Sequence, residues 1–239
     1  ELPEAEGEHV LEEEAAAYNA TERITAGFVR FDQKFSEKVS ATIGLRVENT
    51  RLHTDGKIYT VDDEDNEQLE PTGEYHHYYT DILPSFLMKY AITPESNLRF
   101  SVTRTMSRPK YSAMIANRSY SLADRKGWIG DPDIDPSGAW NIDLSADNYF
   151  KGVGLVSAGI FYKDIHHVNV ETESFYTGSE LGLSKDYADE MFSMTQNINA
   201  YDARVLGVEV AYQRDFGFIH PALKSLGLYG NYTYTHSWT

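Results

Sequence analysis

The chain has 239 residues, and its 21 Lys and Arg against 37 Asp and Glu give a net charge of −16, which excludes a nucleic-acid partner because phosphates require a basic face. It contains no cysteine, which excludes a disulfide scaffold and a thiolate metal site. It also contains no run of about 18 apolar residues, which excludes a transmembrane helix. A membrane-spanning strand stays possible, because such a strand needs only about 9–11 residues with every second one apolar.

The first segments in chain order predict an acidic loop followed by two β-strands. Residues 1–20 are rich in Glu, and we expect a loop there. A strand is predicted over 21–34 and, after a tight connection, a second over 38–51. In the second strand, residues with apolar side chains alternate with polar ones or glycine: Val39, Ala41, Ile43, Leu45 and Val47 against Ser40, Thr42, Gly44, Arg46 and Glu48. Because successive strand residues face opposite sides, this strand separates an apolar environment from a polar one.

Six further strands follow, and long and short connections alternate between them. The predicted strands span 77–92, 97–106, 139–150, 153–168, 200–214 and a last segment from about residue 226. The long connections are 52–75, 107–137 and 169–197. Pro84 lies inside the third strand and predicts a bulge or local break, because proline cannot donate to a strand ladder.

The alternation of connections decides the predicted fold class. Outer-membrane barrels have short periplasmic turns and longer extracellular loops. The sequence therefore predicts an all-β fold, an antiparallel transmembrane β-barrel segment of about eight strands with short periplasmic turns and long extracellular loops. Its polar face would line the lumen with charged side chains that include Arg46, Glu48, Arg99, Asp143 and Glu209.

Eight motifs in order give the chain a family resemblance. They lie at 31–35, 44–48, 83–86, 89–90, 99–109, 130–136, 161–165 and 207–209. Together they resemble the barrel of TonB-dependent outer-membrane receptors, especially the Bacteroidetes type. The motif at 130–136 carries Asp131 where the family usually has asparagine.

The resemblance implies a barrel of about 22 strands whose lumen holds a plug. It implies two regions, an acidic loop segment over 1–20 and a partial outer-membrane barrel over 21–239, with the plug domain and the closing strands absent. The implied function is active import of a scarce nutrient of the siderophore, cobalamin or glycan class across the Gram-negative cell outer membrane. The implied partners are membrane lipid, the plug of the same parent chain, a periplasmic energy-coupling protein that grips the plug and, in glycan importers, an outer lipoprotein cap.

Long loops on a rigid scaffold are the usual place for recognition, and aromatic and arginine side chains are the usual anchors. The predicted ligand-binding residues are Arg108, Tyr111, Arg118, Tyr120, Trp128 and Tyr176. No catalytic residue, cofactor or metal site is predicted. The adjacent pairs 76–77 and 166–167 are histidines, but neighbours on a strand face opposite sides and cannot chelate one ion.

Two alternatives stay open at this point. The chain could be a complete small barrel of eight strands that acts as an adhesin or structural anchor. It could also be a soluble β-sandwich binding module, in which the apolar faces pack on each other. The sandwich leaves the alternation of short and long connections unexplained.

Overall fold

The computed structural model describes residues 14, 17–62, 64, 66–150 and 153–239. Within these ranges the strands are β1 (Asn19–Lys34), β2 (Val39–Val61), β3 (Glu67–Ala91), β4 (Ser96–Ser107), β5 (Arg118–Ser121), β6 (Lys126–Ile129), β7 (Ser137–Tyr149), β8 (Gly154–Thr177), β9 (Met191–Asp215) and β10 (Gly227–Trp238). The described residues also form a short helix, α1 (Gly178–Leu181), and 3-10 turns at Tyr111–Met114, Phe216–Phe218 and Pro221–Leu223. Among the described residues, no helix is both long and apolar enough to span a membrane.

Eight strands form one antiparallel sheet in the order β1-β2-β3-β4-β7-β8-β9-β10. We call these eight strands the wall. They correspond one to one with the eight strands that the sequence predicts, and the predicted barrel-type fold class is confirmed. The remaining strands, β5 and β6, form a hairpin inside the long connection between β4 and β7.

The strand register puts all predicted apolar positions on one face of the wall. Leu45 of β2 lies opposite Val29 of β1, and farther along the sheet Ile160 of β8 lies opposite both Leu144 of β7 and Val208 of β9. This face is open: Ile160 keeps 51% of its surface exposed and Val208 keeps 40%. An uncovered apolar band is what a strand wall presents to lipid.

The opposite face carries hydrogen-bonded polar side chains. Arg99 Nε lies 3.1 Å from Asp147 Oδ2, and Ser157 Oγ donates to Asp147 Oδ1 at 2.7 Å. Ser101 Oγ donates to Asp143 Oδ2 at 3.0 Å. Arg99 and Asp143 thus lie on the polar face, as predicted.

Four strands are much longer than a membrane requires. β2, β3, β8 and β9 have 23 to 25 residues, whereas β4, β7 and β10 have 12 or 13. The pairs β2–β3 and β8–β9 therefore extend beyond the rest of the wall as two arms. The predicted loops over 52–75 and 169–197 are shorter than expected, because the arms continue as strands where neither face meets lipid and the alternation fades.

Two other expectations need correction or lie outside the structure. Of the bulge or local break that the sequence predicts at Pro84, the bulge is wrong, because the β2–β3 register passes through the Leu45–Pro84 pair without a shift. Instead the ladder between β3 and β4 ends at Ser85, next to the residue that lacks an N–H. The β2–β3 register shifts between Asp55 and Lys57, farther out along the arm. The acidic segment 1–20 falls largely outside the described residues.

Candidate functional site

Two strands of the wall leave free edges at its loop end. β1 pairs with β2 only as far as Asp55, and β10 pairs with β9 only as far as Arg204. The outer ends of β2 and β9 therefore each keep one edge available. The hairpin β5–β6 occupies both edges, because Arg118 of β5 pairs with Ile58 of β2, and β6 runs parallel to residues 193–196 of β9.

We call the segments 108–136 and 178–190, together with the outer ends of β2, β8 and β9 that they contact, the cap. Its core consists of seven buried residues: Tyr59, Val61, Tyr120, Leu181, Leu183, Phe192 and Met194. Tyr59, Phe192 and Met194 have no exposed surface. The ring of Tyr120 meets those of Tyr59 and Phe192 edge-on, with centroids 5.1 and 5.9 Å apart. This edge-to-face contact is the favoured geometry of aromatic pairs and joins β2, β5 and β9.

Two aromatic residues among the predicted ligand-binding residues have polar atoms that the cap buries. Tyr120 Oη and Trp128 Nε1 are inaccessible, and within the described ranges neither has a hydrogen-bond partner. Burial raises the pKa of the Tyr120 phenol well above its ordinary value, because the charged phenolate would be desolvated. A buried donor without a partner costs about 1–3 kcal/mol. An acceptor that reached either group would recover that free energy.

A group of ionic contacts, which we call the latch, fixes the start of the cap to the wall. Arg108 follows directly after β4, and its Nη2 donates to Glu48 Oε2 at 2.7 Å and to Thr50 Oγ1 at 3.2 Å. Arg108 Nε lies 3.4 Å from Glu22 Oε1, an ion pair without hydrogen-bond geometry. Tyr111 Oη donates to Glu22 Oε2 at 2.8 Å, and this bond raises the pKa of the Tyr111 phenol. The latch therefore joins β1, β2 and the first turn of the cap.

All six predicted ligand-binding residues lie in the cap or the latch. Arg118 is partly buried in β5, and its Nε is inaccessible and has no hydrogen-bond partner among the described residues. Tyr176, at the end of β8, packs against the cap core. Only Tyr111 of the six is exposed, with 47% of its surface accessible. The others help to build the cap, and their contact with a ligand stays a prediction.

Some residues of this region could not be found from the sequence. Tyr59 and Met194 belong to the cap core, but their segments read as polar loops. Arg125 Nε lies 2.8 Å from Glu190 Oε2 and ties the hairpin to the segment before β9. The motif at 130–136 did give a signal: a side chain at Gly130 would overlap the carbonyl oxygen of Ile115, so only glycine fits there.

A cleft opens where β3 and β4 part beyond Ser85. Its volume is about 450 Å³, and its lining mixes aromatic, basic and acidic side chains, among them Tyr79, Asp81, Arg104, Trp140 and His166. Asp135, from the last part of the cap, also lines the cleft and lies 3.5 Å from His77 Nε2. The cleft therefore adjoins both the wall and the cap.

The family model described as TonB dependent receptor-like, beta-barrel, matches residues 9–239. No curated protein sequence matches the chain.

Solved structures share the fold at low sequence identity. The copper transporter OprC has 12% identity and a TM-score of 0.63, over 91% of this chain and 29% of OprC. The Escherichia coli K12 ferric-catecholate import receptor Fiu has 14% identity and a TM-score of 0.60, over 92% of this chain and 28% of Fiu. The Serratia marcescens hemophore receptor HasR, solved with its hemophore HasA and heme, has 10% identity and a TM-score of 0.62, over 91% of this chain and 34% of HasR.

This chain spans about a third of the length of each of those proteins, and identities this low show a shared fold rather than a shared cargo. The Bacteroidetes subdivision stays a prediction. The family model, by contrast, covers nearly the whole chain, and the wall has the two faces that a membrane barrel requires. The chain therefore belongs to the TonB-dependent receptor β-barrel family, whose members lie in the outer membrane of Gram-negative bacteria.

Proposed function

We propose that residues 21–239 are a barrel segment of an outer-membrane active importer. The observation that carries this proposal is the combination of an open apolar band on one face of the wall with a cap packed over its loop end. The band suits insertion in lipid, and the cap suits selection of cargo at the outer mouth. The family assignment supports the same function.

The free edges of the wall support a segment rather than a closed small barrel. Among the described strands, β1 pairs only with β2, and β10 pairs only with β9. Backbone groups of an open edge are costly to leave unpaired in lipid, and we propose that further strands of a parent barrel cover them. The same parent chain would supply the plug, and a periplasmic energy-coupling protein would act through that plug.

The proposed cargo is a nutrient too large for porins, of the siderophore, cobalamin or glycan class; for a glycan, an outer lipoprotein would close over the mouth. Tyr111 is the candidate for direct contact, because it is exposed at the edge of the latch. Tyr120 and Trp128 could form hydrogen bonds to a ligand only if the ligand opened the cap, since their polar atoms are buried. No catalysis is part of the proposal.

The first experiment tests location and size together. An antibody against residues 107–137 is used to blot separated inner-membrane, outer-membrane and soluble fractions of the source cell. A band several times heavier than 27.1 kDa in the outer membrane supports the proposal. A band near 27.1 kDa in that fraction would favour the small adhesin-type barrel. Signal only in the soluble fraction would favour the β-sandwich.

The second experiment tests transport. The gene is deleted in the source cell, and uptake of labelled ferric siderophores, cobalamin and oligosaccharides is compared with the parent strain, with and without a protonophore. We expect uptake of one class to disappear in the deletion strain and in the protonophore-treated parent. Equal uptake of all three classes in both strains would contradict active import. Uptake that is lost in the deletion strain but is insensitive to the protonophore in the parent strain would indicate a passive channel.

A further inference from the structure

Three metal-ligating side chains meet across the β2–β3 arm, in a segment that the sequence marks as a loop. His53 of β2 and His76 of β3 are directly opposed in the antiparallel ladder, and Glu74 precedes His76 by two residues, so all three share one face. One ligand atom from each side chain lies within 4.8 Å of the other two. The imidazole centroids are 4.6 Å apart, and His53 Nε2 is 3.8 Å from Glu74 Oε2.

This cluster lies on the outer face of the arm, beyond the apolar band. Val47 and Ile82 form the last opposed apolar pair on that face, and Tyr78 lies between this pair and His76 along β3. Tyr78 is 60% exposed and has the position of an interfacial aromatic, so the cluster faces water rather than lipid. The Glu74 side chain is 70% exposed and the His53 side chain 40% exposed, which leaves a path for an ion from solvent.

The donor set selects the class of ion. Two imidazoles with one carboxylate suit Zn²⁺, Ni²⁺ and Cu²⁺, whereas Ca²⁺ and Mg²⁺ prefer oxygen ligands throughout. Ligand bonds of about 2.0–2.2 Å place two donors at most about 4.4 Å apart, so rotation of exposed side chains is enough to close the site. His53 Nε2 is inaccessible to solvent and has no hydrogen-bond partner among the described residues, so a rotation of the ring that exposes this atom breaks no hydrogen bond.

We propose that His53, Glu74 and His76 form a binding site for one divalent transition-metal ion on the outer surface of the β2–β3 arm. The ion would crosslink the two strands just before their register shifts between Asp55 and Lys57. The Asp55 carboxylate, opposite Glu74 in the ladder, adds negative charge beside the site, while its Oδ1 accepts a hydrogen bond from Asn19 Nδ2 at 2.9 Å. The site is separate from the cap and its occupation does not depend on the cargo.

The test uses the full-length protein, purified from the outer membrane in detergent through an affinity tag that contains no histidine. Zn²⁺ binding is measured by titration calorimetry after treatment with a chelator, and Co²⁺ is used as a coloured probe of the ligand set. We expect His53→Gln and His76→Gln each to weaken binding at this site at least tenfold and to remove the associated Co²⁺ absorption band. Glu74→Gln should weaken binding and change the band.

His77→Gln is the matched control, because His77 is the neighbour of His76 but faces the other side of the arm, 3.5 Å from Asp135. Its metal affinity should equal that of the wild type. Retained affinity in both His53→Gln and His76→Gln, or an equal loss in His77→Gln, would overturn the proposal. Slower gel migration after boiling confirms that each variant still forms a barrel, so loss of binding cannot be attributed to unfolding.

Discussion

The wall and the cap use the same kinds of apolar side chain in opposite ways. In the wall, Ile43 and Ile160 keep 53% and 51% of their surface exposed, and neither belongs to a buried hydrophobic cluster. In the cap, Phe192 and Met194 have no exposed surface and pack with Tyr59 and Tyr120. β9 contains both arrangements, because it runs from the cap core into the wall. The position of an apolar residue along its strand therefore decides whether it faces lipid in the wall or is buried in the cap core.

The comparison predicts separate responses of the two regions to mutation. Apolar burial stabilises the cap in the manner of a soluble core, where lost volume is costly. The wall gains its stability from lipid contact and from its strand ladders, so it should tolerate truncation of an apolar side chain but not the introduction of charge on the lipid face.

Phe192→Ala should cause the largest loss of stability, and that loss should be confined to the cap. Removal of a fully buried Phe costs about 3–5 kcal/mol. We expect faster hydrogen exchange at the amides of β5 and β6 and unchanged exchange in the wall, measured by mass spectrometry of the detergent-solubilised protein. Phe175→Ala is the matched control, because Phe175 is 67% exposed in the neighbouring strand and its loss should change little. Equal effects of both variants would contradict the buried core.

Val208→Arg should destabilise the wall by about 2–4 kcal/mol if the side chain lies near the bilayer midplane. The measurement is denaturant unfolding in phospholipid vesicles, supported by the amount inserted in the outer membrane. Glu209→Arg is the control, because Glu209 is the next residue and faces the lumen. Ile43→Arg and Leu144→Arg should behave as Val208→Arg does. If these changes are harmless while Asp143→Leu abolishes insertion, the lipid and lumen faces are inverted.

Arg108→Ala should release the latch at an intermediate cost. It removes two hydrogen bonds and leaves Glu48, which is 8% exposed, with Arg46 Nε at 2.6 Å as its charged partner. A hydrogen bond to a charged group contributes about 1.5–3 kcal/mol, and partial exposure of Arg108 places the expected cost at the lower end. The cap segment after β4 should then be cleaved faster by trypsin-type proteases. Arg51→Ala, on the exposed outer face, should leave cleavage unchanged.

Loss of the capping box of α1 should have the smallest effect. Thr177 Oγ1 accepts from Glu180 N at 3.3 Å, and the Glu180 carboxylate accepts from Thr177 N at 2.7 Å. Thr177→Ala should cost about 1 kcal/mol of cap stability. The change is measured by hydrogen exchange of the α1 segment, and Ser179→Ala, outside the box, is the control.

The same capping box gives the cap a defined response to acid. The backbone hydrogen bond from Thr177 holds the pKa of Glu180 below its ordinary value. A lowered pKa in the folded state adds stability above the unfolded pKa, and that stability is lost as pH falls through the folded pKa. Wild-type cap stability should therefore decline in acid below the ordinary Glu pKa of 4.5, and Glu180→Gln should lack that component. Identical pH profiles of the wild type and Glu180→Gln would show that the capping box does not lower the pKa of Glu180.

Local chemistry was enough to predict the wall. All eight strands and their two faces follow from period-two patterning, because one side of each strand meets lipid and the other water. The arms show where this logic stops. Beyond the membrane both faces meet protein or water, so the region around Tyr59 has no alternation and reads as a loop although it continues β2.

Only the tertiary structure decided which distant residues meet. Arg108 reaches Glu48 across 60 positions, and the cap core joins residues from β2, β5 and β9. The pairing of His53 with His76 depends on the register of β2 and β3, and a slip of one residue would put the two rings on opposite faces. The sequence by itself thus determined the strands and which face of each meets lipid or water, since both depend on neighbours along the chain. The cap, the latch and the histidine cluster were decided by strand register and by distant segments of the chain that meet in space, which no local pattern encodes.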